Sequence, residues 1–266
     1  MSISKVNVGV EQITQLIAAA TAGKTAIHLR GSENLAQVLR VVVERFMDDY
    51  PGTLLALSTG GTVRGFKALI DGTCEMALAS SAISDEQSRL ASKAKIHLRT
   101  EVIGSDNILP LVHTDNPLPA LTLEQMRRIF AGRVTNWAEL GGNNQPITVM
   151  VMDPSSGTAV TWREQVLAGI PLSTRTVVVR ERESALRVAA DPGAISYRAE
   201  ILPTAKGARP ITLLSGHGPH TITRDLMLVV RDPAPPLAAQ FLAWVTSPEG
   251  RNLLRVSQDQ QIGAAR

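Results

Sequence analysis

Of 266 residues only Cys74 is a cysteine, so no internal disulfide can form, and no CxxC or Cys/His cluster has the spacing of a structural metal site. Aromatic residues make up 3% of the chain, too few for the stacking platforms on which single strands of nucleic acid are read. No run of Lys or Arg forms a patch, and the net charge of +3 comes from scattered residues, which argues against nucleic acid as a partner. No apolar stretch approaches the roughly 18 residues of a membrane-spanning helix. The start, Met1 to Val10, lacks the basic and apolar regions of a signal peptide. What the chain does have is 44% hydrophobic residues against 19% charged, enough for a core that stands on burial alone. The length suits two lobes of ordinary size.

Strand-like and helix-like runs alternate, the pattern of an α/β protein with parallel strands. Thr25–Arg30, Thr53–Thr59 and Met76–Ser80 are short apolar runs with polar or turn-forming ends, and further strands are predicted at Ile147–Met152, Thr176–Arg180, Ala194–Tyr197 and Leu226–Val230. Asn34–Met47 carries Leu35, Val38, Leu39, Val42, Val43 and Phe46 at spacings of three and four, an amphipathic helix. Shorter helices are predicted at Thr62–Ile70, Ser84–Lys93 and Thr122–Phe130, with a last one at Pro236–Thr246. Val10–Ala20 reads as one more helix, within an N-terminal extension.

Three segments run from an apolar strand through Gly, Ser and Thr directly into a helix: Leu29–Ser32, Ser58–Thr62 and Met152–Thr158. A fourth strand ends on Ser80 and Ser81. A helix start offers unpaired N–H groups and a positive dipole end, to which hydroxyls add donors without bulk. Each alone is an ordinary capped turn. Together, at the carboxyl ends of strands in an open α/β sheet, they can face one small anion. No segment matches GxxxxGK[ST], GxGxxG or GxSxG, so nucleotide binding by those routes and a nucleophile elbow are unsupported. His217 and His220 lie in a Gly/Pro loop without an adjacent carboxylate and are not read as a metal site. Trp137 and Trp162 read as packing residues rather than ligand platforms.

The stretch Asp115-Asn116-Pro117 through Ile129-Phe130-Ala131-Gly132-Arg133-Val134-Thr135-Asn136-Trp137-Ala138-Glu139-Leu140-Gly141-Gly142 resembles the DNP…IFSGKITNWSELGG signature of the phosphate-binding proteins of bacterial phosphate ABC transporters. Gly31-Ser32, Gly61–Leu69, Glu75–Ser81, Ser156-Gly157-Thr158 and Pro192–Tyr197 follow in the family's order, and the likeness covers roughly residues 27 to 255. The chain is thus similar to a divergent, PstS-like member of that family.

The resemblance implies a type II periplasmic-binding-protein fold: two α/β lobes, central sheets flanked by helices, and a ligand cleft between them. The expected division is an N-terminal extension (1–24), lobe 1 (25–107), lobe 2 (108–222) and a return to lobe 1 (223–266). It further implies a binding protein without catalysis, cofactor or metal, which captures a small oxyanion, first of all phosphate, for uptake or signalling. The ligand would be held by Ser32, Thr62, Arg64, Ser80, Ser81, Ser155, Ser156, Gly157 and Thr158. An ABC permease or a membrane-bound signalling partner, a monomeric state and an extracytoplasmic location follow from the same likeness, with a cytoplasmic location left open by the missing signal. The departures are specific. Ser80 and Ser81 stand where the family has an Asp or Arg, Met152, Asp153 and Ala159 stand where it has an Arg, and Glu33 stands where it often has Thr. Acids beside a dianion repel it, by about 4 kcal/mol for an uncompensated pair at about 4 Å near a surface. Arg64, on the first helical turn after Thr62, is placed to offset them. The alternative is a domain that has lost phosphate and serves as an interaction or signalling module, or takes a different small ligand.

Overall fold

The computed structural model describes residues 23–264, so the predicted helix Val10–Ala20 lies outside the described residues. In chain order, β1 (Thr25–Gly31) leads into α1 (Glu33–Asp49), β2 (Thr53–Thr59) into α2 (Thr62–Asp71), and β3 (Met76–Ala79) into α3 (Asp85–Lys93). The long strand β4 (His97–His113) then crosses to β5 (Ala120–Thr122), α4 (Leu123–Phe130), β6 (Thr148–Met152) and α5 (Gly157–Trp162), whose path continues as a π-helical turn to Leu167. There follow β7 (Val177–Val179), α6 (Ser184–Ala189), β8 (Ala194–Ala199), β9 (Ala208–Pro210), β10 (Thr212–Ser215) and β11 (Gly218–Pro219). A second long strand, β12 (Ile222–Asp232), returns to α7 (Pro236–Val245) and α8 (Pro248–Ala264).

The strands form a sheet of order β2-β1-β3-β12-β4-β8-β6-β7, with β9 joined to β4 and a small β11-β10-β5 sheet beside it. The expected parallel pairing holds for β1 with β2 and β3, and for β6 with β7 and β8. It fails in the middle, where β12 runs antiparallel to both β3 and β4, and β4 antiparallel to β8. The physical reason is connectivity: β4 and β12 carry the chain in opposite directions between two halves, so neither can be the return arm of a βαβ unit.

Each half has its own core. Leu35, Val38, Leu39, Val42, Val43 and Phe46 of α1 are all buried, against β1, β3, β12 and α7. The other face of that sheet is covered by Phe66 and Leu69 of α2. The second core draws on Met126, Ile129 and Phe130 of α4, on Trp137 and Trp162, and on Ile195 and Tyr197 of β8. Trp137 is 1% exposed and donates its indole N–H to the Gly193 carbonyl at 3.0 Å, while Trp162 stacks on Tyr197 with centroids 4.2 Å apart. Both tryptophans are packing residues, as predicted.

Ser84 and Thr122, the residues that open two of the predicted helices, each close a capping box, with Gln87 and Gln125 respectively. Pro236–Val245 is not the last helix. Pro248 opens another, capped by Ser247, whose hydroxyl accepts the Gly250 N–H at 3.2 Å. Proline at a first helical position gives up only an N–H that would be unpaired there, so Ser247-Pro248 can open this helix, which was not among the predicted ones.

Candidate functional site

The turns after β1, β2, β3 and β6 converge between the two halves. Ser32 caps α1 by accepting the Leu35 N–H at 3.4 Å and donates its hydroxyl to Ser80 Oγ at 3.0 Å. Thr62, at the start of α2, accepts the Ser80 N–H at 3.1 Å, and its Oγ1 lies 3.3 Å from Ser80 Oγ. From the other half, Ser156 caps α5 by accepting the Thr158 N–H at 3.2 Å. Gly157 passes so close to the first half that a Cβ there would lie 2.3 Å from Ser80 Oγ and 2.6 Å from Thr62 Oγ1. Only glycine fits that approach.

Beneath these hydroxyls lies a guanidinium that the sequence reading did not single out. Arg224 of β12 is 4% exposed and donates from Nη1 to Thr158 Oγ1 at 2.6 Å and to Ser80 Oγ at 3.3 Å, and from Nη2 to Asp106 Oδ2 at 2.8 Å. Asp106 on β4 is its register partner across the two crossing strands. Burial is the larger influence on Asp106 and raises its carboxyl above the ordinary range, against the opposing pull of Arg224. A signal for Arg224 was present: it is in phase, at period two, with the buried Ile222 and Leu226. Glu181, after β7, is the second unpredicted member. Its Oε1 accepts the Thr158 hydroxyl at 2.7 Å, the Asn34 amide at 3.1 Å and the Ala199 N–H at 3.0 Å, and its Oε2 accepts the Ser156 hydroxyl at 3.4 Å.

The acids that were expected to repel an anion are each paired with an arginine. Glu33 meets Arg182 at 2.8 Å, and Asp153 meets Arg64 at 3.7 Å. Asp153 also accepts the Ser155 hydroxyl at 2.5 Å and its N–H at 2.8 Å, and these bonds, ahead of Arg64, hold its carboxyl below the usual carboxylate range. The two halves touch directly here, with the Val63 N–H donating to the Ser155 carbonyl at 3.1 Å and Ser155 Oγ lying 3.3 Å from the Gly60 carbonyl oxygen.

Among the nine residues proposed from the sequence, Ser32, Arg64, Ser155, Ser156 and Gly157 line a cavity of about 200 Å³ between the halves. Thr62, Ser80, Ser81 and Thr158 do not line it. They are buried, with Thr62, Ser80 and Thr158 joined to Ser32 through the hydroxyl and Arg224 network. No group of His, Cys, Asp and Glu among the described residues could hold a metal.

The profile of the PBP superfamily domain matches residues 18–249. The chain belongs to that family. Phosphate-binding protein PstS of Bacillus subtilis is 26% identical over 175 residues, 65% of this chain and 57% of that protein. The chain therefore spans little more than half of that relative's length. A Clostridium perfringens substrate-binding protein with bound phosphate superposes with a TM-score of 0.76 at 22% identity, covering 88% of this chain and 98% of that one. An ABC-type phosphate transport receptor from Vibrio cholerae gives 0.72 at 23% identity, covering 87% and 97%. The two-lobed α/β fold of this superfamily is the fold of the chain, with β4 and β12 as the crossing strands between the lobes. Among the described residues, no helix is long and apolar enough to cross a membrane.

Proposed function

We propose that the protein is a solute-binding or sensor domain that captures a small oxyanion, phosphate first, in the cleft between its lobes. The observation that carries this reading is one hydroxyl network drawn from four separate turns, in which Ser32 and Thr62 meet Ser80 and the buried Arg224 guanidinium joins Ser80 to Thr158. Hydroxyls backed by a buried guanidinium, beside a cavity that Ser32, Ser156 and Gly157 line, offer an anion donors in place of its hydration shell. The phosphate-binding relatives and the superposed phosphate receptors support the same reading. Arg224, entering from a crossing strand, supplies the positive charge that the loop before Ser156 lacks. Lobe 1 is taken as 25–107 with 223–266, and lobe 2 as 108–222. The domain binds and releases without chemistry, works outside the cytoplasm as a monomer, and presents its closed form to an ABC permease or a membrane-bound signalling partner.

A second reading, a module with a different small ligand, is favoured by one observation: Glu33, Asp153 and Glu181 all border the cavity. The two are separated by thermal unfolding of dialysed protein with phosphate, sulfate, molybdate, nitrate and organic anions at matched ionic strength. A ligand at about 100 times its dissociation constant adds about 2.7 kcal/mol, worth several degrees. Phosphate is expected to raise the melting temperature by that order. No shift with phosphate overturns phosphate capture, and a shift with another anion alone selects the second reading.

A further inference from the structure

The donors of this site already hold an anion. Glu181 collects hydrogen bonds from Asn34 at the start of α1, from Ser156 and Thr158 at the start of α5, and from the Ala199 N–H at the end of β8. Ser156 and Thr158 are two of the hydroxyls that the family resemblance gives to the ligand, and this inference rests on the binding reading. A carboxylate is an acceptor-only anion whose two oxygens present to these donors the same chemistry as one edge of an oxyanion. Arg224 stands directly behind Thr158, 2.6 Å from its Oγ1, and adds positive charge on the far side of that hydroxyl. The next residue, Arg182, pairs with Glu33 on α1, so both members of the Glu181-Arg182 segment reach from one lobe to the helix start of the other.

We propose that the Glu181 carboxylate is the resident anion of this hydroxyl cradle, and that an external oxyanion binds by displacing it, so that Glu181 sets the affinity of the site. Each hydroxyl has one proton to donate, so Thr158 and Ser156 cannot serve Glu181 and a ligand together. The charge of an undisplaced Glu181 would moreover face the incoming anion across a cavity it borders. Displacement is therefore an exchange of one anion for another on the same donors, and the observed affinity is the difference between the two.

The test is isothermal titration of inorganic phosphate into wild type and Glu181→Gln at constant ionic strength, with thermal unfolding of wild type, Glu181→Gln and Glu181→Ala in phosphate and in sodium acetate. The amide of Glu181→Gln keeps the shape and loses the charge, and phosphate is expected to bind it at least about tenfold more tightly than wild type. Acetate is expected to raise the melting temperature of Glu181→Ala and leave wild type unmoved, because a free carboxylate refills the place of the missing side chain. Phosphate affinity unchanged or weaker in Glu181→Gln, with no acetate effect on Glu181→Ala, overturns the proposal while leaving phosphate capture by the wild type intact. Wild type that ignores phosphate, beside a Glu181→Ala that gains stability from acetate and phosphate, supports the resident anion and instead overturns phosphate capture by the natural chain. Should Glu181→Ala fail to melt cooperatively, the phosphate affinity of Glu181→Gln decides alone.

Discussion

Arg224 and Asp106 are where single side chains matter most, because both are almost fully enclosed and each is the other's charge partner. Replacing Arg224 with Met leaves a buried, unpaired carboxylate and is expected to destabilise the fold by about 3–5 kcal/mol, read by chemical denaturation. Adding Asp106→Asn to that variant should recover part of the loss, since the uncompensated charge is gone. Asp106 also predicts a pH dependence. Its folded carboxyl titrates above the ordinary 3.8, so between that value and its raised folded value the native state binds more protons than the unfolded chain. Stability therefore falls as pH rises through this window, and Asp106→Asn should flatten the slope there. Cys74 is a simpler case. It is 3% exposed, and burial, the largest influence, pushes its thiol up to about 11. Alkylation of native protein at neutral pH should be negligible and should follow global unfolding.

At the scale of elements, the strand-to-helix turns were readable because their signals are local. A Ser or Thr before a 3.6-residue pattern favours a cap, and Ser84 and Thr122, which open two predicted helices, both cap, as do Ser32 and Ser156, whereas Gly61 stands at the N-cap before Thr62 without a side-chain bond. Ser84→Ala should cost about 1 kcal/mol in denaturation midpoint terms, with ligand binding unchanged, since α3 stands outside the cleft. The turn at Gly157 behaves otherwise. A methyl there would press on Ser80 and Thr62 of the facing lobe, so Gly157→Ala should part the lobes and weaken oxyanion binding by an order of magnitude or more, measured by titration calorimetry. Less legible were β4 and α8. β4 mixes Arg99, Glu101, Asp106 and Asn107 with apolar residues, and its polar positions make sense only once β12 is laid against it. α8, opened by Ser247-Pro248, was not among the predicted helices.

For the whole molecule, lobe closure is held by contacts that are strong only in combination. Glu33–Arg182 and Asp153–Arg64 are half-exposed pairs, each worth at most about 1 kcal/mol and screened by salt. The closed arrangement therefore rests chiefly on the buried hydroxyl and Arg224 network. Small-angle scattering should show a compact ligand-free wild type that changes little with salt, and a measurably larger radius of gyration for Gly157→Ala. A wild-type radius that expands with salt would mean that the surface pairs, rather than the network, close the cleft. By itself the sequence determined the superfamily, the two α/β cores, the helix caps and the loops that carry the hydroxyls, because periodicity, capping and contiguous motifs are properties of neighbours along the chain. Tertiary structure alone decided that Arg224 and Asp106 meet under those loops, that Glu181 crosses to Asn34, and that Glu33 and Asp153 each find an arginine. Those partners lie far apart in sequence, and their energies depend on burial and distance, which exist only once the chain has folded.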